Sequence, residues 1–541
     1  MNCKPITSTA PTARPDLADD LPSSLDDLHA PSEQGECLVA PSASRLSAAV
    51  EYNRKLFAQY QFEVAGLPFA TVRDMVRSRI GGDDVRIDQP FIATGHQPDF
   101  FHAGVWAKHI IARRLADAVG GAAFDLIVDH DAPKQHSIAV PTIDDGLAHV
   151  VDVAYANAPA EHPFEFISKC SDQQTQQLIE RMRAAMGDRY DSSLLPEFFN
   201  AYQAADGDWV DQALSARKAV EASMGIQLIQ RRTSRYWYSP LLAELLLSAE
   251  SFANTYNQIL AGEDPGEDVH EPDRSVATLE RINGAIELPL WINHPGEPRH
   301  RLFVAKENSK THLFAETQRV ATFDDARIKD WPSFEADLHQ LSPWGIRPKA
   351  LILTMWARLF WADIFIHGIG GAKYDRLTDR LIQCVFGVEP PVMACVSATL
   401  RMSLPRTGAT EKQIDDATRS LRDINFNPHR YITHEKMAAI QSEKETLIAE
   451  SQRLRRDDRY NRRERTAVFN RIRELNSLAN SLQPNRIAEL RQQRDRISRA
   501  IAADAIADRR DYFFAMHDRS DLQHLLENLP GVQQMQRSDI V

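Results

Sequence analysis

Cysteine is scarce in this chain and badly placed for either of its usual structural uses. The five present (Cys3, Cys37, Cys170, Cys384 and Cys395) form no CxxC pair and no closely spaced framework. Their scatter argues against a structural zinc site and against a disulfide-held secreted scaffold. Long apolar runs are lacking too: the richest, Leu241 to Leu247, is interrupted by Glu244 and is far too short to span a bilayer. The first residues, Met1-Asn2-Cys3-Lys4-Pro5, carry no basic-then-apolar secretion pattern, so the expected location is the cytoplasm. Positive charge is not in excess. A net charge of −12 argues against bulk binding to nucleic acid or an anionic membrane, while leaving room for a local basic stripe. There is no P-loop.

What is present is the composition of a folded protein, 43% hydrophobic and 26% charged. With 541 residues it exceeds one ordinary core, so a large domain with insertions and an appendage is expected. Residues 1–45, rich in Pro, Ser and Asp, read as a disordered leader. A short apolar run, Phe91-Ile92-Ala93, ends at Thr94-Gly95 as a buried strand does at a functional turn. A helix from near Val105 to Gly120-Gly121 follows, then a strand over Phe124–Val128. This order is a βαβ unit, whose usual setting is a parallel sheet covered by helices. Between about 150 and 330 the pattern reads as insertions: helices over Gln176–Met186 and Leu241–Ala261, and a hairpin around Gly296. A second α/β passage runs from Leu351–Thr354 through an aromatic-rich helix to Ile366, then His367-Gly368-Ile369-Gly370-Gly371 and a helix to Val385. From about 431, Ile440, Leu447 and Leu454 recur every seven residues, and Ile487, Leu490, Ile497 and Ile501 follow Pro484. The expectation is an antiparallel coiled-coil hairpin that turns at Pro484 and supplies a dimer contact. Sixteen arginines against eight acids between 451 and 510 make one face basic, read first as a solvated flank.

Three clusters could carry chemistry. Thr94-Gly95-His96-Gln97 stands at the end of the first core strand, with His102 and Gly104 ahead of the helix. Glycines allow backbone to approach a ligand, a helix N-terminus attracts anions, and the histidines can donate or move protons near neutral pH. Asp129-His130-Asp131 ends the next strand, with His136 shortly after; in a parallel sheet both ends face one crevice. Its acids and histidines offer a base and an orienting carboxylate, at a spacing that matches no standard zinc motif, and no metal is expected. Gly368 to Asp375, with Arg347-Pro348 upstream, is the third cluster: the turn Gly370-Gly371 allows close backbone approach, and Lys373 or Arg347 could neutralise an anion. The expected catalytic residues are therefore His96, Asp129, His130 and Asp131. The expected substrate- or anion-binding residues are Thr94, Gly95, Gln97, His102, Gly104, Arg347, Gly370, Gly371 and Lys373.

Taken together, the TGHQ loop, the DHD strand end, the Arg-Pro entry, the Gly-Gly turn and the C-terminal coiled coil resemble the bacillithiol-biosynthesis cysteine-adding enzyme family. His96 stands where that family usually has glutamine. The resemblance implies a Rossmann-like core over 46–430 with insertions, and a coiled-coil hairpin and tail over 431–541 that makes a homodimer. It also implies joining of cysteine to a glucosamine–malate conjugate. Amide formation needs an activated carboxylate, so ATP or another nucleotide is inferred from the chemistry, with the cofactor itself unknown. Two other readings stay open: a metal-dependent hydrolase using His96, His102, Asp129, His130, Asp131 and His136, and an interaction or nucleic-acid-binding protein built on its coiled coil.

Overall fold

The computed structural model describes residues 28–133, 136–155, 161–262 and 276–533. The chain divides into two units, one made of residues 1–140, 151–402 and 510–541, the other of 141–150 and 403–509. The division near 402 lies ahead of the expected boundary at 430, and the tail beyond 509 returns to the first unit.

The first unit is a mixed α/β fold around a largely parallel sheet of six strands. These are β1 (Cys37–Ala40), β2 (Phe91–His96), β3 (Ala122–Ile127), β4 (Ile229–Arg232), β5 (Ile364–His367) and β6 (Ala394–Ala398). They lie in the order β1-β6-β5-β2-β3-β4, with only β1 antiparallel. The chain lays β2, β3 and β4 outward in one direction, then returns to place β5 and β6 on the other side of β2. The succession therefore reverses between β2 and β5, and in open α/β sheets ligands settle outside the carboxyl ends of the strands at such a point. Every residue of β3 is buried, as expected for a strand covered on both faces.

Three expectations need correction here. The proposed leader lies outside the described residues as far as 27, but from Leu28 the chain is folded. Leu28 and Ala40 are buried, and β1 pairs with β6. The Thr94-Gly95 pair does not end its strand: β2 runs on through His96, paired with β3 to Ile127. Leu351–Thr354 is helix (α2 below), and the strand is the later run Ile364–His367. Short apolar runs of either kind look alike in sequence.

Helix α1 (Ala103–Val119) returns the chain from β2 to β3; it starts at the cap His102 and stops at Gly120, whose φ of 65° only glycine adopts easily. Helices α2 (Ala350–Trp356) and α3 (Ile369–Phe386) flank β5 in sequence. A second, antiparallel sheet holds the hairpin expected around Gly296, Ala285–Asn293 with His300–Glu307, and pairs its first strand with Gly345–Pro348. That pairing brings Trp291 and Pro348-Lys349 towards the carboxyl edge of the main sheet.

The second unit is helical: α4 (Glu411–Phe426), α5 (Met437–Asp457), α6 (Arg462–Leu482) and α7 (Pro484–Ala507). Its turn is not the one expected. The chain reverses at Asp458–Asn461, where Asn461 caps α6 by accepting from Glu464 N at 3.2 Å, so α5 and α6 form the antiparallel pair. Ile432, Met437 and Ile440 pack on Leu475 and Ala479, with Leu447 and Leu482 at the margin. The seam at Ile440 and Leu447 is thereby covered within the chain, and α7 packs against α4 instead. No helix among the described residues is long and apolar enough to cross a membrane.

Candidate functional site

At the reversal between β2 and β5 lies a cavity of about 290 Å³. The ends of three adjacent strands open into it: Gly95, His96 and Gln97 from β2, Val128, His130 and Asp131 from β3, and His367 and Gly371 from β5 and the start of α3. Trp291, Arg299 and the segment from Pro348 to Thr354 close the far side.

The carboxylate of Asp131 is held on every side. Gln97 Nε2 donates to one oxygen at 2.7 Å, while the Ala132 amide (2.9 Å) and the Arg299 guanidinium bind the other. Asp131 is thus a fixed strut of the wall, and its capacity to accept a substrate proton is largely used up. Arg299 stacks 4.7 Å from the centre of the Trp291 ring, and Lys349 Nζ lies 4.4 Å from the same ring. Lys349 also donates to Glu287 at 2.6 Å; burial pulls its ammonium below the usual range while Glu287 pushes the other way. Among the described residues Asp131 is the only carboxylate lining the cavity; Arg299 pairs with it, Lys349 pairs with Glu287, and three imidazoles complete the polar lining.

The three imidazoles differ in what they have left to offer. His130 donates from Nε2 to the Pro348 carbonyl at 2.8 Å; its Nδ1 is buried from solvent, and burial lowers its pKa. His96 donates from Nδ1 to the Gln97 carbonyl at 3.2 Å. Burial, with Lys108 adding to it, holds the ring well below its ordinary pKa, so it is neutral and carries a lone pair on Nε2. Lys108 lies beneath the loop and donates to the Gly95 carbonyl at 2.7 Å, its own pKa lowered to about 8 by burial. His367 has Nε2 3.2 Å from Asp375 Oδ2. Burial would raise Asp375, but Arg358 and His367 overcome it and hold the carboxyl at about 2. An ionised Asp375 favours the proton on Nε2 and leaves the lone pair on Nδ1. A Cβ on Gly371 would sit 2.9 Å from that Nδ1, so only glycine leaves the ring unobstructed.

Seven expected site residues stand elsewhere, each for a physical reason. Thr94 is buried and ties β2 to β5 by donating to the Ile366 carbonyl at 2.9 Å. His102 caps α1, accepting from Gly104 N at 3.1 Å, and the start of that helix does not line the cavity. Gly104 is required because a Cβ would meet the Ala398 carbonyl at 2.7 Å. Asp129 is wholly buried among Arg232 Nε (2.7 Å), Ser234 Oγ (2.5 Å) and Ser234 N (2.9 Å), which makes it an anchor for the turn. Arg347 is locked in a forked pair with Glu165, its Nη2 2.8 Å from Oε2. Gly370 is exposed and Lys373 lies further along α3, neither lining the cavity.

The six ligands of the hydrolase reading therefore do not meet. His102 and Asp129 are committed, and His136 packs near Tyr155 outside the wall. Among the described residues no group of three or more His, Cys, Asp or Glu is arranged to hold a metal ion. Sequence reasoning missed His367, Lys349, Trp291, Arg299 and Lys108, and gave Asp375, at the end of its third cluster, no role. His367 did carry a signal, a histidine ending an apolar run just before a glycine-rich stretch, as His96 does. Arg299, from the hairpin loop, carried none. No family model matches the chain, and no curated protein is significantly similar to it.

Proposed function

We propose that this cavity binds a small anionic substrate and that the protein is a carbon–nitrogen ligase of the kind its motifs resemble. It would join cysteine or a related amino acid to a small anionic sugar conjugate. The observation that carries the reading is the meeting of three strand ends at the sheet's reversal, with His367 backed by Asp375 and one imidazole nitrogen of His96 uncommitted. The strand order supports a Rossmann-like description of the core. Arg299 and Lys349 draw the anion in, and the volume suits a ligand of amino-acid size, at the low end of small-molecule sites.

In this reading His367 Nδ1 takes a proton from the attacking amine while Asp375 stabilises the imidazolium. The amine forms the new C–N bond to an activated carboxyl carbon, and the activating group leaves. His96 Nε2, as an acceptor from the amine, fixes the orientation of the reacting pair. A nucleotide supplies that activation when bound. The homodimer belongs to the same proposal and rests on the resemblance alone, since the seam first assigned to it is covered by α6.

The test incubates the protein with cysteine, a glucosamine–malate conjugate and ATP, and follows amide product by mass spectrometry. Wild type should form it, and His367→Ala should form it about a hundredfold more slowly. Absence of product, together with no thermal stabilisation by any amino acid or sugar acid in a panel, would sink the ligase reading.

A further inference from the structure

The helical unit carries a feature the proposed chemistry does not use. Residues 453–465 contain seven arginines (Arg453, Arg455, Arg456, Arg459, Arg462, Arg463 and Arg465) against three acids, in a chain whose net charge is −12. They lie at the turn between α5 and α6, and all seven are exposed. Arg455, Arg462 and Arg463 make no ion pair among the described residues. A solvated helical flank would interleave acids with these cations and would keep large apolar rings covered. Here two rings are left out: Tyr460 at the tip is 79% exposed, and Phe469 on α6 is 58% exposed.

Each ring carries a guanidinium. Arg459 lies 4.8 Å from the centre of Tyr460 and donates to its hydroxyl at 2.6 Å, and Arg473 lies 6.0 Å from the centre of Phe469. Arg462, Arg465, Phe469 and Arg473 follow one another at helical steps of three, four and four, so they share one face of α6. That stripe is about 16 Å long at ~1.5 Å of rise per residue. A row of cations with aromatic faces set among them is how proteins hold a nucleic-acid backbone while its unpaired bases stack. A membrane surface would need a continuous apolar face, and two separated rings do not make one.

We propose that the α5–α6 tip and the Arg462–Arg473 stripe bind single-stranded nucleic acid, with the arginines on phosphates and Tyr460 and Phe469 stacking on bases. The experiment is fluorescence anisotropy of the full-length protein with labelled 20-nucleotide oligo(dT) and oligo(rU), titrated from 50 to 300 mM salt. Wild type should bind at least one of them, with affinity falling steeply as salt rises. Arg462→Glu with Arg473→Glu should weaken binding at least about tenfold at low salt. It should also flatten the log–log salt slope by about 1.4, from ~0.7 per lost contact on a single strand. Phe469→Ala should cost about fivefold or more with the slope unchanged, since stacking is salt-tolerant. Arg462→Gln with Arg473→Gln, milder in its effect on the helix, gives the same direction if the glutamates disturb folding. The idea fails if wild type binds neither oligonucleotide at 50 mM salt, or if the arginine variants bind as well as wild type. It also fails if a duplex or vesicles of phosphatidylserine and phosphatidylcholine are bound more tightly than the single strands.

Discussion

The ends of β3 and β5 flank β2 on either side and carry the same kinds of residue, yet they have opposite uses. At the end of β3, Asp129, His130 and Asp131 have nearly every polar atom committed: to Arg232 and Ser234, to the Pro348 carbonyl, and to Gln97 and Arg299. At the end of β5 a single histidine lines the cavity with Nε2 3.2 Å from Asp375 Oδ2, while at the end of β3 the one imidazole nitrogen left without a hydrogen-bond partner among the described residues, His130 Nδ1, is buried. In the proposed reaction the denser cluster is the scaffold, and the sparser one holds the reactive atom. On that proposal, polar richness in a strand-end loop marks where the cavity is, while a lone pair left facing the cavity marks the residue assigned the chemistry.

The sharpest way to break this contrast is to remove the anchor. Asp129→Ala should destabilise the protein by about 3 kcal/mol, towards the lower end for breaking a buried pair because Asp208 and Asp211 still hold Arg232. Urea denaturation reads it. An unchanged midpoint would make Asp129 free for catalysis after all. Next in size, His367→Ala should cut turnover about a hundredfold, the lower range for a general base, with the melting temperature little changed. Equal losses from His130→Ala and His367→Ala would erase the distinction between the two strand ends.

A third test reads the buried histidines by pH. Burial pushes His102 and His517 down to about 4. An unfolded histidine titrates near ~6.5, so between about 6.5 and 4 the unfolded chain binds protons that the folded one refuses. Stability is then complete above that window and falls as pH falls through it, by at most about 1.4 kcal/mol per pH unit for each histidine. Urea midpoints at pH 7.5, 6 and 5 should show the decline, and His517→Gln should make it shallower; a flat profile would contradict the assignment. The smallest effect belongs to Thr94→Val, which deletes the bond to the Ile366 carbonyl and should cost about 1 kcal/mol with turnover intact. A large loss of activity there would return Thr94 to the site.

Much of the architecture was legible in the residues. The apolar run at Phe91, the helix stopped by Gly120 and the mostly apolar strand after it announced the βαβ unit, and topology alone placed Gly95, His96, Gln97, His130, Asp131 and Gly371 on one crevice. The rest was hidden for specific reasons. Leu351–Thr354 and Ile364–His367 are both short apolar runs, and only tertiary pairing decides that the second is the strand. The turn at Asp458–Asn461 contains neither glycine nor proline, so the heptad pattern seemed to run straight through it to Pro484. Arg347 and Asp129 looked available because their partners, Glu165 and Arg232, lie 182 and 103 residues away in the chain.

The segment after Arg509 gives the first unit an unusual dependence on time. Phe514 N donates to the Phe101 carbonyl, Leu194 N to the Ala515 carbonyl, and Arg114 reaches the carbonyls of Leu526 and Leu529, so these last turns close over α1 and the loop that leads into it. On a ribosome, every strand of the main sheet has emerged by Ala398, but the pieces that seal Phe101 arrive more than a hundred residues later. The sheet must wait with its aromatic flank uncovered while the entire helical unit is being synthesised. Premature termination between Arg510 and Leu529 would therefore damage the oldest part of the chain rather than the newest.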